Sequence, residues 1–412
     1  ASVCEHPERV AGLHFFNPVP LMKIVEVIPG LLTEHTVVQT LTSLVKRLGH
    51  LGVVARDTPG FIVNHAGRAF GTEALKILGE GVATFEQIDT ILRDVAGFRM
   101  GPFELMDLTG VDISHPVMES IYEQYYFEPR YRPHPLTRQM LIGGKIGRKV
   151  NAGFYNYVDG KQQLPSQVDS NKAFKAEIFK NDEIKAVWIG ADLPADKQQL
   201  VDFLTVNNIA IDDSDVPHAT SLVLLAIYGE DTTNAAVRYS VNPRQAVAID
   251  MLTDISKLIT IMPSLVTEDK FVAQAYTLFT QNNDDSANNN ATNTKAKTAD
   301  VKTEINNKVI LIKESTGFIA QRVVAMVINL GCDIAMQSIA TPEDIDNAVK
   351  LGLGYPYGPI SWGDKLGAER ILLILQRIHK LTGDPRYRPS PWLQRRATLG
   401  VSLFTEQSAY WH

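Results

Sequence analysis

Cysteine is scarce in this sequence of 412 residues, which contains only Cys4 and Cys332. Two cysteines so far apart argue against a disulfide framework and a thiolate metal site, and they favour a reducing, cytoplasmic location. Positive charge is not in excess either, because 40 Lys and Arg face 46 Asp and Glu. A chain without a basic stripe has little with which to neutralise phosphates, so we expect no nucleic-acid partner.

Long apolar runs and two familiar ligand motifs are also missing. The longest apolar run, Leu222–Tyr228, has the length of a strand and falls short of the roughly 20 residues of a membrane helix. We therefore expect no membrane partner. No dinucleotide-binding G-x-G-x-x-G motif occurs, because the glycines of Gly352–Gly358 have the wrong spacing, and no histidine pair has the HxxxH spacing of a metal site.

An internal repeat is the most informative feature that is present. At an offset of 257 residues, the segment from Gly60 to Gly110 matches the segment from Gly317 to Gly367 without a gap. The matching pairs include Gly60-Phe61-Ile62 with Gly317-Phe318-Ile319, Ile88-Asp89 with Ile345-Asp346, and Gly101-Pro102 with Gly358-Pro359. Apolar residues at helical spacing from Ile62 to Leu78 predict a long helix, so each copy is predicted to be helical.

Short apolar runs before and between the two copies predict strands. The runs Val10–Phe16 and Met22–Ile28 are separated by the turn Asn17-Pro18-Val19-Pro20, and their near-continuous apolar character predicts that both strands are buried. A helix over 33–48 and a strand over 51–55 follow. Further strands are predicted at 186–189, 209–211, 222–228, 247–249, 258–262 and 309–312.

These patterns divide a chain that is too long for one compact domain. We predict an α/β segment at 1–56, a helical domain at 57–160, a second α/β segment at 161–312 and a second helical domain at 313–412. The low-complexity stretch 281–300, with Asn288-Asn289-Asn290, predicts a disordered loop.

His14 and Glu26 are the strongest candidates for chemistry. If the chain folds back at the proline turn, the two side chains can meet. A carboxylate among apolar neighbours needs a partner, and an imidazole held by a carboxylate is what a general base requires. The alternative is a histidine satisfied within the core beside a glutamate at the edge of the sheet.

Two other polar residues have ordinary explanations from the pattern alone. Asn64 lies in the first turn of the predicted long helix, where an asparagine commonly bonds to local backbone. Lys149 ends a Gly-rich basic loop, where a solvated lysine is the default.

The sequence resembles the 3-hydroxyacyl-CoA dehydrogenase family. The motifs that carry the resemblance over residues 9–157 are Gly12–Pro20, Lys23–Val27, Asp57–Asn64, Met100–Asp107, Gly147–Lys149 and Gly153–Tyr155. The resemblance implies a Rossmann-type NAD-binding sheet followed by an all-helical, 6-phosphogluconate-dehydrogenase-like domain. It also implies NAD-dependent oxidation of L-3-hydroxyacyl-CoA to 3-ketoacyl-CoA.

The resemblance implies roles for particular residues. It makes His14 the catalytic base, Glu26 its orienting carboxylate and Asn64 the amide that positions the substrate. It makes Asn17 and Lys149 contacts of NAD. An acyl-CoA is then the expected substrate, and a homodimer through the helical domains is the expected assembly.

Two departures from the family pattern qualify the resemblance. The dinucleotide motif, which in the family precedes the matched motifs, is absent, so we expect an N-terminally truncated chain that binds NAD poorly, with a remnant of the Rossmann sheet. Sliding Pro7-Glu8-Arg9 onto Pro243-Arg244-Gln245 places Asp250 on His14, and the motif that follows places Thr260 where Glu26 stands. The repeat places Gln321 on Asn64. The second copy is therefore expected to be non-catalytic.

The duplication resembles the long bacterial 3-hydroxybutyryl-CoA and 3-hydroxyadipyl-CoA dehydrogenases of fatty-acid or aromatic-acid degradation. Two alternatives stay open. The chain could be an acyl-CoA-binding and dimerisation module without turnover, or the dehydrogenase portion of a fatty-acid-oxidation multienzyme. The choice between NAD and NADP and the acyl chain length are not fixed by the sequence.

Overall fold

The computed structural model describes residues 3–163, 184–252, 258–280 and 309–406. These residues belong to two compact units, which we call the first unit (residues 1–165 and 319–412) and the second unit (residues 166–318). The loop predicted at 281–300 lies outside the described residues. The first unit contains the helices of both copies of the sequence repeat. The division of the chain into four segments stays a prediction.

A three-stranded sheet opens the first unit. It consists of β1 (Ala11–Phe15), β2 (Ile24–Pro29) and β3 (Leu51–Val54), with helix α1 (His35–Arg47) between the last two. β1 pairs antiparallel with β2, and β2 pairs parallel with β3. The chain reverses between β1 and β2 because the segment from Asn17 to Pro20 contains two prolines, which cannot donate to a strand ladder.

The two strands of this hairpin differ in burial. β2 is buried along nearly its whole length, as predicted, but β1 is only partly buried. The prediction that both strands are buried is therefore wrong for β1. β1 lies at one edge of this sheet, whereas β2 has a neighbouring strand on each side.

Helices make up the first copy of the repeat. They are α2 (Val63–Ala66), α3 (Arg68–Gly79), α4 (Phe85–Thr90), α5 (Pro102–Thr109), α6 (Val111–Gln124) and α7 (Pro135–Ile142). The long helix predicted after Gly60 is interrupted at Gly67, which separates α2 from α3. A hairpin of β4 (Asn156–Val158) and β5 (Lys161–Gln163) follows.

The second unit is an α/β body with a five-stranded sheet. Its elements are β6 (Val187–Ala191), α8 (Pro194–Val206), β7 (Leu222–Ala226), α9 (Thr232–Arg238), β8 (Ala246–Ile249), β9 (Ile259–Pro263), α10 (Asp269–Thr280) and β10 (Val309–Leu311). The strand order is β10-β9-β8-β7-β6. The strand predicted at 209–211 is reduced to one bridge between Val187 and Ile211.

Part of this sheet repeats the plan of the first unit. β8 pairs antiparallel with β9, and β9 pairs parallel with β10, as β1, β2 and β3 do. The backbone N–H of Asp250 donates to the carbonyl of Thr260, so these two residues face each other where His14 and Glu26 face each other in the first unit. The alignment predicted from the sequence is thus reproduced by strand pairing.

The second helical copy completes the first unit. Its helices are α11 (Ile319–Met336), α12 (Pro342–Leu353), α13 (Pro359–Leu366), α14 (Ala368–Thr382) and α15 (Pro391–Leu399). Helix α11 is long and apolar enough to cross a membrane, contrary to the expectation that no apolar segment has that length. Of its residues, 94% are buried within the protein, which is typical of a core helix.

Each copy contains a buried aspartate that caps the first turn of a later helix. Asp89 accepts hydrogen bonds from the backbone N–H groups of Phe103 and Glu104 at 2.9 and 3.0 Å. Asp346 accepts from the equivalent groups of Ile360 and Ser361 at 2.8 and 2.9 Å. Each aspartate satisfies donors that a helix leaves free at its first turn, so both copies fix α5 and α13 in the same way.

The copies also bond to each other reciprocally. Arg130 donates to the carbonyl of Arg388 at 2.7 Å, and Arg386 donates to the carbonyl of Arg132 at 3.0 Å. Such an exchange of equivalent contacts is what an isologous dimer shows between two chains. Here both partners belong to one polypeptide.

Replacing Gly101 or Gly358 by alanine should destabilise the protein strongly. A Cβ at Gly101 would lie 2.2 Å from Cγ of Asp89, and one at Gly358 would lie 2.1 Å from Cγ of Asp346. We expect each change to lower the free energy of unfolding by about 2 to 4 kcal/mol, since the aspartate must move away from its buried donors. Urea unfolding measures this.

Gly30 to alanine is the matched control. Its Cβ would have no neighbour nearer than Oγ1 of Thr33, at 3.6 Å. A loss at Gly101 or Gly358 no larger than the loss at Gly30 would contradict this role of the two aspartates.

Candidate active site

His14 and Glu26 meet across the β1–β2 hairpin. The strand register places them directly opposite each other, and Nδ1 of His14 lies 2.6 Å from Oε2 of Glu26. Glu26 is completely buried, whereas the His14 side chain keeps 33% of its surface exposed. The expected contact is therefore present, with the acid buried and the imidazole at the surface of a cavity.

Glu26 also ties the sheet to the helices. Its other oxygen, Oε1, accepts from the backbone N–H groups of Ile62 and Val63, both at 2.9 Å. The carboxylate thus accepts three hydrogen bonds, which offsets the cost of burying its charge. The same contacts place the start of α2 directly behind the imidazole.

A cavity of about 590 Å³ opens in front of His14. It is lined by the His14 ring, the turn from Asp57 to Phe61, Asn64 of α2, and Pro116, Val117, Ser120, Ile121 and Gln124 of α6. This volume is within the usual range for sites that bind small molecules and cofactors. Two of the three predicted catalytic residues, His14 and Asn64, line this cavity, and Glu26 lies behind His14.

The two predicted cofactor contacts lie outside the cavity lining. Asn17 is exposed just after β1. Lys149 is exposed, and its Nζ forms an ion pair with Asp112 at 2.7 Å. The cofactor role of both residues therefore stays a prediction.

A buried histidine beside Asn64 was not singled out from the sequence. Nε2 of His65 lies 2.7 Å from the hydroxyl of Tyr131, and Nδ1 lies 3.3 Å from the hydroxyl of Tyr125. Burial, together with the positive charges of Arg130 and Arg68, lowers the pKa of His65 to about 3. The only signal in the sequence is a histidine in an apolar helix, which does not reveal distant tyrosine partners.

Within the described ranges of the chain, no group of three or more His, Cys, Asp or Glu side chains could hold a metal ion. Cys332 is buried and Cys4 is exposed, and both are free thiols.

Comparison with known proteins assigns the family. The family model of the 3-hydroxyacyl-CoA dehydrogenase C-terminal domain matches residues 60–157 and again 317–410, and that of the NAD-binding domain matches residues 1–58. The 3-hydroxyadipyl-CoA dehydrogenase of Escherichia coli K12 is 35% identical over 402 residues, which are 97% of this chain and 72% of that protein. The chain belongs to the 3-hydroxyacyl-CoA dehydrogenase family.

Other members of the family match over part or nearly all of this chain. The mitochondrial hydroxyacyl-coenzyme A dehydrogenase of Sus scrofa is 40% identical over 157 residues, which are 38% of this chain and 50% of that enzyme. The crystal structure of 3-hydroxybutyryl-CoA dehydrogenase from Escherichia coli K12 superposes with a TM-score of 0.74 at 32% identity, covering 97% of this chain and 72% of that one.

The match at residues 1–58 bears on one expectation. We expected an N-terminally truncated chain that binds NAD poorly, whereas this segment is recognised as the NAD-binding domain of the dehydrogenase family. The match gives the truncation no support. The expectation rested chiefly on the missing G-x-G-x-x-G motif. The family assignment rests instead on the motifs around His14 and Glu26, which the matched segment contains.

Acid should destabilise the dehydrogenase through His65. The folded protein keeps this imidazole neutral down to its pKa of about 3, while the unfolded chain protonates it near the ordinary value of 6.5. Stability from this group is therefore complete above pH 6.5 and is lost as the pH falls towards 3. At pH 4.5 the loss should be about 2 to 3 kcal/mol relative to pH 7.5.

Urea unfolding of the wild type and of His65→Gln at pH 7.5 and pH 4.5 checks this. The glutamine cannot take up the proton, so the wild type should lose more stability between the two pH values than the variant. Equal losses would contradict a depressed pKa for His65.

Proposed function

We propose that this dehydrogenase oxidises L-3-hydroxyacyl-CoA to 3-ketoacyl-CoA, with His14 as general base, Glu26 as its orienting carboxylate and Asn64 as the substrate-positioning amide. The observation that carries the proposal is the 2.6 Å contact between His14 and Glu26 at the wall of the cavity. The resemblance of the surrounding motifs to the family supplies the reaction.

The hydrogen bond to Glu26 decides which nitrogen of His14 acts. A carboxylate can only accept, so Nδ1 of His14 carries the proton and Nε2 carries the lone pair. Nε2 takes the proton of the 3-hydroxyl group as the carbonyl forms. Glu26 stabilises the imidazolium that results, and in the reverse direction the imidazolium returns the proton to the ketone.

The residues at the end of the cavity that holds His14 fit a nicotinamide cofactor. NAD, when bound, supplies the acceptor for the hydride that leaves C3. The cavity beside His14 has room for a reacting ring, and Asn17 is exposed nearby in the chain. Lys149 would hold the cofactor after leaving Asp112, an exposed ion pair of the kind that contributes about 0 to 1 kcal/mol.

The substrate proposal is a short or dicarboxylic 3-hydroxyacyl-CoA, of the 3-hydroxybutyryl type, formed in fatty-acid or aromatic-acid degradation. It is supported by the names of relatives that match almost the whole chain, a 3-hydroxyadipyl-CoA dehydrogenase and a 3-hydroxybutyryl-CoA dehydrogenase. Acetoacetyl-CoA and a dicarboxylic 3-ketoacyl-CoA are therefore the substrates to compare.

The second copy serves as a scaffold in this proposal. It has Gln321 in place of Asn64, and the second unit has Asp250 and Thr260 in place of the His14–Glu26 pair. In the second unit, Asp192 follows β6 and Glu230 follows β7, and Arg238 forms ion pairs with both. Acidic groups therefore lie at the strand ends where a nucleotide phosphate would bind in this class of sheet.

A homodimer through the helical domains stays a prediction. Within one chain, α3 and α11 already pack together.

His14→Gln should lower kcat by orders of magnitude while leaving NADH binding nearly intact. Loss of a general base costs about 10² to 10⁴ in rate, so kcat with acetoacetyl-CoA and NADH should fall by about a thousandfold. NADH affinity, followed by fluorescence titration, should change less than threefold, because the proposed role of His14 is proton transfer.

Gln321→Asn is the matched control in the second copy. It should leave kcat within about twofold, and a large effect there would show that the second copy takes part in the reaction. A wild-type protein that binds acetoacetyl-CoA without turnover would favour the alternative of a binding module.

A further inference from the structure

We infer that His65 is a positioning residue that holds Asn64 in place beside His14, through hydrogen bonds to Tyr131 and Tyr125. This inference rests on the proposed function, because Asn64 matters only if it positions the substrate. It adds to the catalytic set a residue that does not itself line the cavity.

Helix α2 is too short to hold Asn64 by its own hydrogen bonds. It spans four residues, Val63–Ala66, and ends at Gly67. An isolated turn of this length is unstable, since nucleating a helix fixes several residues for one hydrogen bond. The backbone carbonyl of Asn64 accepts a hydrogen bond from Nε of Arg68 at 2.8 Å, and contacts on either side of Asn64 add to this support.

Both neighbours of Asn64 are anchored. The N–H of Val63 donates to the buried carboxylate of Glu26 at 2.9 Å, so one end of α2 is fixed to the sheet that carries His14. On the other side, His65 lies 2.7 Å from the Tyr131 hydroxyl. Val63 and His65, the residues on either side of Asn64 in the sequence, are thus anchored to Glu26 and to Tyr131.

The second tyrosine and one backbone contact complete this anchor. The Tyr125 hydroxyl lies 3.3 Å from Nδ1 of His65. The backbone N–H of His65 donates to the carbonyl of Gly60 at 3.0 Å. Gly60 and Asn64 both line the cavity, so His65 joins two parts of its wall.

A neutral imidazole suits this position. Full burial and two nearby arginines disfavour the charged form. A neutral ring has one donor and one acceptor nitrogen, and each tyrosine hydroxyl can play either part, so both contacts are satisfied in either tautomer. Removing one partner leaves a buried polar group unpaired, which makes the network sensitive to single substitutions.

The second copy provides an internal comparison. Arg322 occupies the place of His65, next to Gln321 in the place of Asn64. Arg322 donates to Tyr387, the equivalent of Tyr131, at 2.9 Å, and to Glu73 of the first copy at 2.8 Å. The copy that lacks the substrate-positioning amide uses this position for a buried ion pair between the copies, whereas the copy that has the amide uses it for two neutral hydrogen bonds.

Tyr131→Phe in the full chain tests the inference without emptying the core. We expect kcat with acetoacetyl-CoA and NADH to fall about tenfold and the KM for NADH to stay within twofold, since small misplacements of a positioning group are costly in rate. Tyr387→Phe is the matched control, because it removes the same hydroxyl at the equivalent place. It should lower the melting temperature at least as much while leaving kcat within twofold.

A second pair of variants covers the histidine itself. His65→Leu should lower kcat by about thirtyfold and weaken acetoacetyl-CoA binding, measured by calorimetry. His65→Gln keeps an N–H near the position of Nε2 and should recover kcat to within about fivefold of the wild type. Recovery by glutamine supports positioning, since a general loss of packing would not be restored by a polar side chain.

The outcomes separate the inference from the proposed function. Normal kcat in both Tyr131→Phe and His65→Leu overturns the inference and leaves the function intact, and so do equal losses in Tyr131→Phe and Tyr387→Phe. If the wild type binds acetoacetyl-CoA without turnover, the proposed function fails, and weaker binding in His65→Leu still supports positioning. If the wild type neither turns over nor binds, both fail.

Discussion

The buried carboxylate of Glu26 is the contact on which the site depends. A charge removed from water must be compensated, and here one side chain accepts hydrogen bonds from His14, Ile62 and Val63. These bonds orient the imidazole and fix the helix that carries Asn64. The hydrogen bonds that compensate this buried charge thus bring His14 of the sheet and Asn64 of the helix into one wall of the cavity. Neither element could do this alone.

The duplication separates stability from chemistry within one chain. Both copies keep the buried aspartate that begins a helix, Asp89 in one and Asp346 in the other, because a folded helix needs its first donors satisfied. The residues at the place of the dyad differ, since the second copy of the hairpin has Asp250 facing Thr260. Packing constrains both copies, whereas the pair of residues proposed for proton transfer, His14 and Glu26, lies beside the first copy.

Much of the fold could be predicted from local patterns, and the failures have physical causes. The hairpin that joins His14 to Glu26 followed from two apolar runs and a proline turn. The burial of β1 was overestimated because apolar content does not reveal which strand lies at an edge. The long helix predicted from Ile62 is broken at Gly67, and the apolar character of α11 was missed because polar residues such as Arg322 and Asn329 interrupt it.

The sequence by itself determined the family, the repeat and the identity of the pair His14 and Glu26, because motifs and periodicity are local and survive as patterns of residues. Only the tertiary structure decided that His65 bonds to Tyr131 and Tyr125, that Lys149 pairs with Asp112, and that Arg130 and Arg386 exchange contacts between copies. Most of these partners lie tens to hundreds of positions apart. Such contacts depend on how helices pack, and packing leaves no periodic signal in the chain.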